Sequence, residues 1–94
     1  MANFGRGSLR YSYSWTASKE HDNARITGFP DNYLLDRTEG YEVLPFINRY
    51  MTAKGWVNEA TFQGIEHSIR VNLPGNVRGH RTIKDWLELN FRIN

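Results

Sequence analysis

Six residues of this chain have the types and grouping to hold a phosphate. Arg78, His80 and Arg81 lie in the run Arg78-Gly79-His80-Arg81, Lys84 follows, and Arg6 and Arg10 sit near the N-terminus. Cationic side chains at a helix opening add their charge to free backbone N–H groups and the positive end of the helix dipole. Arg6 and Arg10 precede Tyr11, Tyr13 and Trp15, and arginine beside aromatic rings can stack on unpaired bases while pairing with phosphates. Each cluster also has a plain structural reading. The first reads as a solvated loop between helices, the second as a strand with one buried aromatic face, and these readings take precedence for either cluster alone. Together the clusters make nucleic acid the alternative partner.

Catalytic and metal chemistry find less support. The histidines His21, His67 and His80 are scattered and read as solvent-facing. Glu66 and His67 are adjacent in a predicted helix, so they point about 100° apart and form no same-face ligand pair by themselves. No His-Glu-x-x-His, EF-hand or Cys/His zinc spacing occurs. Gly5-Arg6-Gly7-Ser8 lacks the length and lysine of a phosphate loop. Pro30-Asp31 resembles the start of a metal-dependent nuclease motif, but no acid-x-Lys strand follows, and a turn explains it better. The Gly-x-Ser-x-Gly elbow of serine hydrolases is absent. No catalytic residue, cofactor or metal is expected.

The element that must position any site runs from Asp36 to Gly55. Asp36 and Glu39 have capping-box spacing, and Val43, Leu44, Ile47, Tyr50 and Met51 recur at helical intervals. Lys54 suits the last turn, and Gly55 is a left-handed stop. Pro45 cannot donate to the Tyr41 carbonyl and costs roughly 3 kcal/mol in a helix interior. The reading is one helix bent near Pro45, with a break there as the alternative. Asn58 then caps a second helix carrying Phe62, Ile65, Ile69 and Leu73, weakened at Gly64 and ended by Pro74-Gly75. Thr82 and Asp85 form a cap-like pair for a third helix with Ile83, Trp86, Leu87 and Phe91 inward.

The first third is different. Residues 1–8 read as a loose arm. Leu9, Tyr11, Tyr13 and Trp15 alternate with polar residues at strand period, and Ala24 to Thr27 offers a short second strand. Gly28-Phe29-Pro30-Asp31-Asn32 is a turn, and Tyr33, Leu34 and Leu35 are placed to staple the helix entry. The fold class is mainly α, with α+β possible. It is a compact three-helix domain over residues 36–94, preceded by a β-hairpin or extended N-terminal arm whose 9–35 part is weakly β or loop.

At 94 residues the chain makes one domain, 1–94. It has no cysteine, no run of the ~20 apolar residues a membrane span needs and no charged-then-apolar leader, which reads as cytoplasmic. A formal charge of +2 permits nucleic-acid binding without demanding it. Aromatics make up 14% of the residues, more than a small core requires, so some are expected at a contact surface. The favoured function is therefore a non-catalytic binding protein that occupies a protein partner through Tyr11, Tyr13 and Trp15, as an inhibitor, adaptor or regulatory subunit. In this general character it resembles the small accessory proteins of bacteriophages, a likeness of type without a shared motif. The alternative is a nucleic-acid-binding domain using Arg6, Arg10, Arg78, His80, Arg81 and Lys84. Its helix-turn-helix variant suffers from a connection, Leu73 to Arg81, longer than the usual turn of 3–4 residues. No heptad seam specifies an oligomer.

Overall fold

In the computed structural model, which describes residues 4–15 and 34–91, the first helix α1 spans Gly40–Lys54 and is capped by Glu39 rather than Asp36. The displacement has a local cause. The Asp36 carboxylate turns onto Thr38, accepting from its backbone N–H at 2.9 Å and its hydroxyl at 2.7 Å. An aspartate closed into its own turn has no reach to a helix N-terminus. Glu39 accepts from the Tyr41 N–H at 3.3 Å instead, and Glu42 reaches back to the Asp36 N–H at 3.0 Å. The Gly40 N–H, which no helical carbonyl can serve, donates to the carbonyl of Ser14 at 2.8 Å. α1 continues through Pro45 as one helix, so the break does not occur, and it ends at Gly55 with φ 76°.

Asn58 caps the second helix as expected, accepting from the Ala60 N–H at 2.7 Å. This helix, α2, is α-helical over Glu59–His67 and widens into a π-helical turn over Ser68–Asn72, closed by Leu73 N–H donating to the Ser68 carbonyl at 2.8 Å. Arg37 explains why the wider turn holds. Its guanidinium donates to the carbonyls of Ile69 at 3.2 Å, Leu73 at 2.7 Å and Pro74, giving donors to acceptors at the end of the helix. The third helix, α3, covers His80–Asn90. It starts at His80 with Gly79 as N-cap and no side-chain cap, so the Thr82–Asp85 pair lies inside the helix and caps nothing.

The core is the meeting of the three apolar stripes. Val43, Phe46, Ile47, Tyr50 and Met51 of α1 are buried with Phe62, Ile65 and Ile69 of α2 and its π turn, Ile83 and Leu87 of α3, and Leu35 and Leu73 from the connections. Phe46, not the half-buried Leu44, takes the deep position on α1. Trp86 and Phe91 are half-buried and pack against the edge of this core. Phe91 comes so close to Gly64 that an added Cβ there would meet its ring at 3.1 Å, which accounts for a glycine in mid-helix.

No sheet forms among the described residues. The alternation from Leu9 to Trp15 produces an extended segment with one isolated parallel bridge, Ser14 to Glu39, and Leu34 forms an isolated antiparallel bridge with Gly79. The stretch expected to be a loose arm is tied down from Phe4 onward. Phe4 exchanges hydrogen bonds with the Asn48 side chain, both at 2.8 Å, its ring lies 4.8 Å from that of Phe62, and Arg6–Ser8 form a 3-10 turn. The expected strand at residues 24–27, the turn at 28–32, Tyr33 and His21 lie outside the described residues.

Candidate functional site

The N-terminal segment lies across α2, held by Ser8 donating to Glu59 at 2.8 Å, by Gln63 donating to the Ser8 carbonyl at 3.1 Å and, with the most bonds, by Glu66. Helical spacing turns Glu66 inward and His67 outward: Glu66 is fully buried and His67 exposed. A buried carboxylate is costly unless its lone pairs meet donors. Glu66 accepts from the Arg10 N–H at 2.9 Å, from the Tyr11 N–H at 3.1 Å and from the Tyr13 hydroxyl at 2.7 Å. Burial, and then the adjacent Glu66 carboxylate, push the Tyr13 phenol far above its ordinary range, so its hydroxyl remains a donor. The Arg70 guanidinium sits over the same assembly, 4.9 Å from the Tyr13 ring and 5.7 Å from that of Tyr11.

Tyr11 joins the two faces of α2. Its backbone N–H serves the buried Glu66, while its hydroxyl lies 2.5 Å from Nδ1 of the exposed His67. Beside this contact runs a groove of about 470 Å³ lined by Arg10, Tyr11, Ala60, Gln63, Gly64 and His67. The four helical members stand at i, i+3, i+4 and i+7, one stripe of α2 beside its buried face, with Ala60 and His67 exposed and Gln63 and Gly64 half-buried. A second groove, of about 430 Å³, is lined by Leu34, Leu35, Asp36, Arg37, Glu42, Gly75 and Arg78.

The structure separates the residues grouped by sequence. Arg6 donates to the Tyr41 hydroxyl at 2.7 Å and lies 4.0 Å over the Trp15 ring. Trp15 also meets Tyr41 edge-on at 5.2 Å. Tyr11, Tyr13 and Trp15 are each half-buried, and Tyr11 borders the first groove. Arg10 is exposed on the first groove and Arg78 on the second. Arg81 is exposed on the first turn of α3, and Lys84 pairs with Glu88 at 3.1 Å.

His80 is the clear correction. Expected at the surface, it is buried, with its ring edge-on to Phe46 at 5.3 Å. Arg49 donates to its Nδ1 at 3.0 Å, and since arginine has no acceptor, Nδ1 must be the unprotonated nitrogen. Burial, with the nearby Arg49 charge, lowers its pKa to about 4. It is a neutral core group and is not placed to meet a phosphate.

Sequence reasoning missed Glu66 as the centre of the site and Arg37 as a helix cap. A glutamate beside three inward apolar positions was the available signal for Glu66, since its place next to Ile65 puts it on the edge of the buried stripe. Comparison with known families, curated proteins and solved structures returns no match. Among the described residues no helix is long and apolar enough to cross a membrane, and no three His, Asp or Glu side chains gather to hold a metal ion.

Proposed function

We propose that the chain is a small non-catalytic domain that acts by occupying a protein partner. The observation that supports this most is how the phosphate-binding candidates are used. Arg6 is stacked and hydrogen-bonded, His80 is buried and neutral, Lys84 is ion-paired, and Arg10 and Arg78 border different grooves. A nucleic-acid backbone is held by cations disposed along one track. Protein recognition asks instead for a mixed surface with aromatic and polar groups at a concavity, which the Arg10–Tyr11–His67 groove offers. Glu66, the buried carboxylate nearest that groove, is surrounded by donors and has no proton-abstracting role in this reading.

The test is a salt-titrated binding assay against single- and double-stranded DNA and RNA, run beside affinity capture with wild type and Tyr11→Ala. The reading expects no nucleic-acid affinity that falls steeply with salt, and a saturable protein complex weakened by the Tyr11 change. Tight nucleic-acid binding whose salt slope shrinks in Arg78→Gln/Arg81→Gln would overturn it in favour of the alternative.

A further inference from the structure

We propose that the groove between the N-terminal segment and α2 receives an acidic side chain of a peptide segment, whose carboxylate is held by Arg10 and His67. This deepens the protein-binding reading and rests on it. The two grooves differ in charge. In the one lined by Arg37 and Arg78, Asp36 and Glu42 share the lining with the arginines, so the site favours neither sign. The groove on α2 has Arg10 and His67 in its lining and no carboxylate. Of the acids beside it, Glu66 is buried beneath and already accepts from Arg10, Tyr11 and Tyr13, and the exposed Glu59, next to Ala60 on α2, accepts from the Ser8 hydroxyl at 2.8 Å. Arg70, over the Tyr11 ring, adds positive potential from behind the wall.

The donors are also held in place. The Arg10 main chain is fixed by its N–H on Glu66, while its side chain is exposed and presents a planar fork suited to a carboxylate. The Tyr11 hydroxyl bonds to His67 Nδ1 and so orients the ring, and where Nδ1 is the acceptor in that bond Nε2 carries the proton and is a donor. Ala60 presents only a methyl group to the groove, and Gly64, whose Cβ position is crowded by the Phe91 ring, presents only backbone. One arginine and one histidine match a single carboxylate better than a run of phosphates, which is why a peptide is favoured over an oligonucleotide.

The test is an amide-resolved NMR titration of the full chain with three probes: a blocked hexapeptide alternating glutamate and glycine, the same peptide with glutamine for glutamate, and a thymidine pentanucleotide. The glutamate peptide should give saturable shifts at Arg10, Tyr11, Gln63, Gly64 and His67. The glutamine peptide should bind at least about tenfold more weakly. Arg10→Gln, which keeps the backbone bond to Glu66, should abolish the shifts while leaving the remaining spectrum in place. Equal binding of both peptides, shifts centred elsewhere, or tighter binding of the oligonucleotide overturns the inference. So does a captured protein partner whose affinity is unchanged by Arg10→Gln, and that result leaves the protein-binding reading standing.

Discussion

Arg37 and Arg70 hold each other's surroundings across the fold. Arg70 donates to the Arg37 carbonyl at 2.7 Å, and the Arg37 guanidinium donates to the carbonyls of Ile69 and Leu73 on either side of Arg70. The entry to α1 is thereby fastened to the exit of α2. Burial, and then the neighbouring Arg78 and Arg70 charges, lower the Arg37 pKa, but a guanidinium remains charged and keeps its donors. Lysine cannot span three carbonyls with one ammonium, so Arg37→Lys should cost about 1–2 kcal/mol. Urea unfolding measures it, and an unchanged midpoint would show that the contacts carry no net stability.

Glu66→Gln replaces one carboxylate oxygen by an N–H₂ group facing donors. The change should destabilise the fold by about 2–3 kcal/mol, because donors from the segment at Arg10–Tyr13 lose an acceptor in a buried site. Hydrogen exchange at Arg10 and Tyr11 should accelerate more than exchange in α3. Uniform acceleration would mean that the segment and the helices open as one unit.

His80 predicts a pH window. Its folded pKa of about 4 lies below the ordinary 6.5, so the folded state binds fewer protons than the unfolded chain between these values. Stability is fully present above pH 6.5 and falls as pH drops toward 4, by about 3 kcal/mol in all. The physical event is protonation of Nδ1, which removes the acceptor for Arg49 and sets two cations side by side. His80→Asn, which retains an acceptor oxygen and does not titrate, should flatten the slope in this window. A slope that persists in the variant assigns the effect to other groups.

Gly40 is where Trp15 rests. A Cβ at position 40 would overlap the six-membered part of the indole. Gly40→Ala should therefore forfeit the gain of about 1 kcal/mol that alanine ordinarily brings to a helix. It should also shift Trp15 away from Arg6 and Tyr41, reddening its fluorescence. In a Trp15→Ala background the same substitution should become stabilising. If its sign does not change between the two backgrounds, the ring does not limit the site.

The helical part of the fold was legible because its signals are local. Val43, Ile47, Tyr50 and Met51, then Phe62, Ile65, Ile69 and Leu73, then Ile83 and Leu87 each recur at the helical interval, and all are buried. The site was legible only in pieces. Arg10 and Tyr11 stood out for their types, but their neighbourhood did not, since Tyr11 meets Glu66 and His67 55 and 56 positions along the chain. The aromatic alternation from Leu9 to Trp15 gave a strand pattern, yet with only Ser14 paired, the side-chain bonds to α2 decided the segment's course.

What the sequence by itself determined is the set of helices, the stop at Gly55, the cap at Asn58 and the apolar stripes. Spacing and backbone preference act over a few residues and do not depend on what lies opposite. Only the tertiary structure decided that Glu66 is buried, that His80 faces the core, that Ser14 serves the first amide of α1 and that Arg37 closes α2. In each case a polar group must find a partner when water is excluded, and that partner comes from a distant part of the chain.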